Sequence, residues 1–285
     1  MVSLQVNNVG LKYPIPRQIS LQRRPHAPDE ERHIGGILET AADGKRYVAA
    51  LEDVTFSLEA GDRLALIGPN GAGKTTLLKL LYGIFKPTTG NIVREGRVDA
   101  LFNINLGFRG DVSGRRNILL RGLLNGWHPR EIEARMDEII EFSQLGEFID
   151  MPFSSYSQGM AARLAFATAT SFEPQILLMD EWIGAGDAQF AQQAQSRMDS
   201  IVKRAGIIVL ASHNLDLLRR VCNKALWLKQ GRIEEFTTSK KVLDDYIWKT
   251  RADRLEAARA SEAARTAEAA KALEAVKARE AQGGA

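Results

Sequence analysis

The chain has only one cysteine, Cys222, and no apolar run long enough to cross a bilayer. A single thiol excludes an intramolecular disulfide framework and suits a reducing compartment; burial as a small apolar side chain is its expected role. Without a stretch of about twenty apolar residues, no membrane-spanning helix is expected. The opening segment MVSLQVNNVGLKYP lacks a signal-peptide pattern, so the chain is expected to stay in the cytoplasm. A strong excess of one charge is also missing: 38 basic against 35 acidic residues give a net charge of +3, with a pI near 9.0. That balance gives no case for nucleic-acid binding and at most favours proximity to anionic lipid. At 285 residues the chain can still bury one substantial core, with smaller appendages.

What is present begins with GPNGAGKTT, the residues Gly68, Pro69, Asn70, Gly71, Ala72, Gly73, Lys74, Thr75 and Thr76, directly after the apolar run Leu64–Ile67. Strand, glycine-rich loop and helix start in this order form a P-loop. Gly68, Gly71 and Gly73 permit positive φ and close backbone approach, so that successive N–H groups face a phosphate chain. Lys74 reaches the terminal phosphates, the Thr75 hydroxyl is a ligand for Mg²⁺, and the helix dipole adds positive potential beneath them.

Three further segments supply the rest of a site. Gln175–Asp180 followed by Glu181 is an apolar run ending in two acids, as expected of a parallel strand buried on both faces. Ligands of such sheets sit beyond the carboxyl ends of the strands, which places Asp180 on Mg²⁺ and Glu181 as general base toward a water. Ser154–Met160 precedes the helical run AARLAFATATSF, with Ser157 as N-cap and Gly159 baring the helix N-terminus to an anion. Gly206–His213 is another buried strand ending in a polar residue, His213.

Together these residues make the chain resemble an ABC transporter nucleotide-binding subunit, from about Val2 to Phe236. The resemblance implies an α/β fold of the P-loop NTPase class, an ABC-type nucleotide-binding domain with an antiparallel β subdomain and a helical subdomain. It also implies ATP as substrate with Mg²⁺, and the roles of Lys74, Glu181 and His213 in hydrolysis, His213 as the switch that contacts the γ-phosphate. Asp187 matches the acid that communicates between paired sites. The signature is usually LSGGQ, and the aligned residues here are Tyr156, Ser157, Gln158, Gly159 and Met160. A YSxGM form is typical of the subgroup exporting O-antigen, capsule and teichoic-acid polymers, which the stretch Trp182–Phe190 also resembles.

Two positions of the family pattern stay open. Tyr13 or Tyr47 is the aromatic expected to stack on adenine, with Tyr13 preferred because it follows the first strand. The usual glutamine is missing from Leu101–Phe108, and Asn103 and Asn105 are the alternatives for its place.

Along the chain, residues 1–237 are expected to form the ATPase domain, with a helical subdomain over about 113–172. Leu51–Leu58 and Asp62–Ile67 read as strands joined by a turn at Glu59–Gly61, and Gly90–Val93 with Gly96–Phe102 as a small antiparallel hairpin. Pro14–Arg46 reads as a loop insertion in the first hairpin. A short helix over 238–250 leads into a tail over 251–285, rich in alanine. There Arg259, Glu262, Arg265, Glu268, Lys271, Glu274, Lys277 and Glu280 alternate in sign at steps of three, spacing that suits a solvated single helix.

The family organisation implies a homodimer in which Ser157 and Gly159 complete the neighbour's ATP site, and an integral membrane permease as partner, in two copies. The subgroup implies a lipid-linked polysaccharide as cargo and a peripheral place on the cytoplasmic side of the bacterial inner membrane. The alternatives are an ABC subunit for another exported substrate, a lipid or drug, or a soluble ABC ATPase without transport.

Overall fold

The computed structural model describes residues 2–15, 37–40, 45–102, 107–181 and 188–253. Asn103, Asn105, Asp187, most of the Pro14–Arg46 segment and the alternating-charge tail lie outside these residues. The strands are β1 (Ser3–Pro14), β2 (Ile37–Thr40), β3 (Arg46–Glu59), β4 (Arg63–Ile67), β5 (Thr89–Glu95), β6 (Val98–Ala100), β7 (Ile176–Asp180), β8 (Ile207–Ala211), β9 (Lys224–Lys229) and β10 (Arg232–Thr238). The helices are α1 (Lys74–Tyr82), α2 (Gly114–Leu124), α3 (Pro129–Ser143), α4 (Gln158–Thr170), α5 (Ala188–Arg204), α6 (Leu215–Val221) and α7, which covers 239–253. Among the described residues no helix is long and apolar enough to cross a membrane.

Two sheets face each other. One is antiparallel, in the order β2-β3-β1-β5, and the other runs β10-β9-β4-β8-β7-β6. In the second sheet β9, β4, β8, β7 and β6 are parallel, with β10 antiparallel at the edge. Residues 64–67 of β4, 176–179 of β7 and all of β8 are buried, because parallel strands are covered on both faces. Alternate residues divide between two cores. Leu64, Leu66, Ile176, Leu178, Ile207 and Val209 face the antiparallel sheet and α1, whereas Ala65, Ile67, Leu177, Met179, Ile208 and Leu210 face α5, α6 and α7.

In β1 the inward residues change parity, from Leu4 and Val6 to Val9 and Leu11. An irregularity at Asn8, whose φ is 49°, makes this shift, and Asn8 Nδ2 donates to Asp53 Oδ1 at 2.6 Å. One extra residue turns each later side chain to the opposite face, so the bulge keeps the apolar set inside.

The structure corrects two expectations. Gly90–Val93 and Gly96–Phe102 are not partners in a hairpin: β5 pairs with β1 in the antiparallel sheet, and β6 pairs with β7 in the parallel one. The turn at Gly96, φ 123°, redirects the chain from one sheet to the other. The Pro14–Arg46 segment is not loop throughout, since β2 pairs along β3 from Ile37↔Ala49 to Thr40↔Arg46.

The helical layer is α2, α3 and α4 around Ile118, Ile132, Ile139, Leu164 and Phe172, with Trp127 stacked on Phe172 at 4.0 Å. Each helix start has a side-chain cap. Ser113 Oγ accepts from Arg116 N, Ser157 Oγ accepts from Met160 N, and His128 forms a reciprocal capping box with Glu131. Beyond β10, α7 buries Val242 and Leu243 completely, and Tyr246 meets Trp227 edge-on at 5.2 Å.

Candidate functional site

Register alone brings the polar ends together. Leu66 of β4 and Asp180 of β7 both pair with Ala211 of β8, so the three parallel strands finish abreast. The residues that follow them, Gly68, Glu181, Ser212 and His213, therefore emerge at one sheet edge, where the strands' carboxyl ends open a crevice.

The loop after β4 has no room for side chains at two of its glycines. A Cβ on Gly68, φ 147°, would lie 2.2 Å from the Leu228 carbonyl oxygen, and one on Gly73, φ 104°, would lie 2.8 Å from Leu51 Cδ2. Gly73 is also the N-cap of α1 and offers no side-chain acceptor, so side chains leave the first N–H groups of the helix uncapped. Lys74 folds back over the loop, its ammonium donating to the carbonyls of Gly68 at 2.7 Å and Pro69 at 3.1 Å. Burial lowers its pKa, while Asp180 and Glu181 pull it back upward.

The acids are held from several sides. The Thr75 hydroxyl donates to Asp180 Oδ2 at 2.6 Å. Glu181 has a left-handed backbone, φ 75°, uncommon for a residue other than glycine, and its N–H donates to Ala211 O at 2.8 Å. Its carboxylate accepts from Ser212 Oγ at 3.0 Å and from the backbone N–H of His213 at 3.1 Å. Ser212 is buried, and its Oγ also accepts from Asn214 N, the residue that caps α6. Sequence reasoning missed Ser212. The only local signal is a hydroxyl immediately before His213, and its partner lies on another strand.

These groups line a cavity of about 400 Å³ formed by Ala50, Asn70–Thr76, Asp180, Glu181 and His213. An ammonium, uncapped helix N–H groups and glycine-lined backbone on one wall suit a polyphosphate. Two oxygen donors, from Thr75 and Asp180, suit a hard cation such as Mg²⁺. On the far wall, a carboxylate fixed by two donors faces the same space.

Other expected residues do not line this cavity. Tyr13 does not line the cavity; its ring meets Phe85 edge-on at 5.5 Å, its hydroxyl bonds to Thr76, and burial raises its pKa. Tyr47 sits opposite Pro14 in the antiparallel sheet. Ser157, Gln158 and Gly159 are exposed at the start of α4 and form no part of this cavity.

Known proteins resemble this chain in both fold and sequence. Residues 51–184 match the ABC transporter family. The chain is 39% identical over 235 residues to the O-antigen export system ATP-binding protein RfbE of Yersinia enterocolitica, covering 82% of this chain and 98% of that one. It is 42% identical over 199 residues to the corresponding RfbB of Myxococcus xanthus, over 70% of this chain but only 46% of that longer relative. A solved dimeric ATP-binding cassette, in a post-hydrolysis state with ADP and phosphate, superposes with a TM-score of 0.58 at 18% identity, covering 83% of this chain and 98% of that one. Near-complete coverage of a relative at this identity, on a chain whose loop, acids and strand ends meet in one cavity, leads to one conclusion: the protein belongs to the ABC transporter family, among its ATP-binding proteins.

Proposed function

We propose that this protein is the ATP-hydrolysing subunit that powers export of a lipid-linked polysaccharide through a separate membrane permease. The observation that carries the catalytic part is the single cavity shared by Lys74, the Thr75–Asp180 pair and the doubly held Glu181. Backbone N–H groups of Gly71–Thr76 and the Lys74 ammonium bind the phosphate chain of ATP. For this, Lys74 exchanges its two carbonyl partners for phosphate oxygens. Thr75 and Asp180 hold Mg²⁺, which when bound supplies charge neutralisation on the phosphates. Glu181, oriented by Ser212 and the His213 N–H, accepts a proton from water as the water oxygen bonds to the γ-phosphorus. The bond from that phosphorus to the β-γ bridging oxygen breaks, and ADP and phosphate leave. His213 lines the same space, where its imidazole donates to the γ-phosphate and so distinguishes ATP from ADP.

Ser157, Gln158 and Gly159 are assigned to the ATP site of a second copy. Their exposure, and their absence from their own chain's cavity, support a two-fold dimer with two nucleotides at its interface. Asp187 is assigned to communication between the two sites, and Tyr13 to the adenine. The permease, in two copies, supplies the path for the cargo. The subunit then sits peripherally on the cytoplasmic side of the bacterial inner membrane. The polysaccharide assignment rests on the Tyr156–Met160 form of the signature and on the export systems named for relatives such as RfbE.

Glu181→Gln tests both halves. It keeps size and hydrogen bonding but loses the base, so ATP affinity should persist while hydrolysis falls by roughly 10²–10⁴-fold and an ATP-bound dimer accumulates. In the cell, lipid-linked polymer should accumulate on the cytoplasmic side while surface polymer falls. Hydrolysis near the wild-type rate would reject Glu181 as base; normal surface polymer with no internal accumulation would reject the cargo.

A further inference from the structure

Away from the nucleotide cavity, four polar residues meet where the parallel sheet joins the helical layer. Asp99 of β6 and Arg121 of α2 are both buried, at 4% and 5% exposure. Asn125, the C-cap of α2, donates from Nδ2 to Asp99 Oδ1 at 3.4 Å and accepts from the Tyr82 hydroxyl at 3.2 Å. Tyr82 is the last residue of α1. Asp99 also accepts from the Ala100 N–H at 2.8 Å, and both Arg121 and Arg97 act on its charge. Arg97 in turn lies over the Trp127 ring at 3.9 Å, just past the end of α2.

Packing alone does not require these groups. Enclosing a carboxylate and a guanidinium costs more than burying apolar groups of similar volume, so the buried charges fix geometry more than they add stability. The geometry fixed here joins two units. α1 opens at the phosphate loop and ends at Tyr82, about 12 Å away along a rigid helix. α2 shares a core with α4 through Ile118, Leu164 and Ala167, and α4 opens at Ser157. The four residues are thus placed where α1 meets the layer that carries the signature turn.

We propose that Asp99, bonded to Asn125 and through it to Tyr82, is a positioning link that sets the signature turn of α4 relative to the nucleotide loop. None of these residues touches the cavity that holds ATP in the proposed function, on which this inference rests. The link acts through orientation. Occupation of the loop at one end of α1 is felt at Tyr82, and Asn125, the C-cap of α2 held to Asp99, passes the constraint to α2 and α4. Loss of the link leaves nucleotide affinity intact and weakens the closed dimer, in which Ser157 must meet a partner's ATP.

The experiment is a double-mutant cycle in the full chain carrying Glu181→Gln, with Asp99→Ala, Asn125→Ala and the two together. Fluorescent-nucleotide titration reads affinity, sedimentation reads ATP-dependent dimerisation, and circular dichroism checks folding. The expected result is nucleotide affinity within twofold of the parent, about tenfold weaker dimerisation in each single variant, and no further loss in the double. Unchanged dimerisation in folded variants, or losses that simply multiply, would overturn the link. Tyr82→Phe, which removes only one half-buried hydroxyl, decides the matter if the other variants do not fold: about threefold weaker dimerisation supports the link and parental dimerisation overturns it. A parent that binds ATP but never dimerises would instead sink the dimer mechanism, and the link with it, a result distinct from failure of the variants alone.

Discussion

The Ser212 hydroxyl donates to Glu181 Oε2 at 3.0 Å, so the end of one strand orients the acid at the end of its neighbour. The same oxygen accepts from Asn214 N, which ties the acid to the cap of α6. Ser212→Ala should therefore leave nucleotide affinity unchanged and lower the rate of hydrolysis about tenfold, the cost of about one catalytic hydrogen bond. Steady-state ATPase assays with a nucleotide titration check this. A rate equal to wild type would mean that the His213 N–H suffices to hold the carboxylate.

The 2.6 Å contact between Thr75 and Asp180 predicts a shared dependence on divalent cation. Thr75→Ala and Asp180→Asn should each raise the Mg²⁺ concentration that half-saturates ATPase activity by about tenfold, and the double variant by little more, because both ligands serve one ion. Unaltered Mg²⁺ titrations in either variant would remove that residue from the metal site.

Asp99 predicts a pH dependence of stability. Burial pushes its carboxyl up to about 6, against the opposing pull of the Ala100 N–H and the Arg121 guanidinium. The native state thus holds this proton more tightly than the unfolded chain, so the contribution is complete below about pH 4 and is lost as pH rises through 6. The loss is at most about 3 kcal/mol for a shift of this size. Urea unfolding at pH 4.5 and 7 should show wild type losing stability relative to Asp99→Asn across this interval. Parallel behaviour of the two proteins would show that Asp99 does not titrate there.

Helix α7 predicts a boundary for truncation. Leu243 is fully buried beside Val242, and Ser239 Oγ donates to the carbonyl of Cys222 at 2.7 Å. Leu243→Ala should cost about 2–5 kcal/mol, whereas truncation after Thr250 should preserve folding and basal ATPase activity. Thermal melts compare the two. Cys222 gives a second readout: it is buried and its thiol is pushed up to about 12, so a thiol reagent should label it only as Leu243→Ala opens this region.

The sequence made the strand ends legible because parallel strands buried on both faces read as unbroken apolar runs, and a polar residue after such a run marks the sheet edge. Gly68 and Gly73 were legible for a steric reason, since neither place admits a Cβ. The partners of β5 and β6 were not legible. Short alternating segments beside a glycine read as a hairpin, and only contacts distant in sequence send them to different sheets. Ser212 and Asp99 were hidden for the same reason, as their partners Glu181 and Asn125 are distant in the chain. The His128 cap was local but unusual, an imidazole nitrogen where a hydroxyl or carboxylate normally stands.

The corrected placement of β5 alters how the whole chain is laced. It enters the parallel sheet after β3, leaves it through α1 to reach β5, and returns at Gly96 to β6. The phosphate-loop helix is therefore the thread stitched between two fabrics, tied to one sheet through the loop before its first residue and leading to the other after its last. Any slip of one sheet over the other must pull on that thread, so the antiparallel sheet, though it contributes only Ala50 to the cavity wall, serves as a tensioner for the helix on which the phosphates rest.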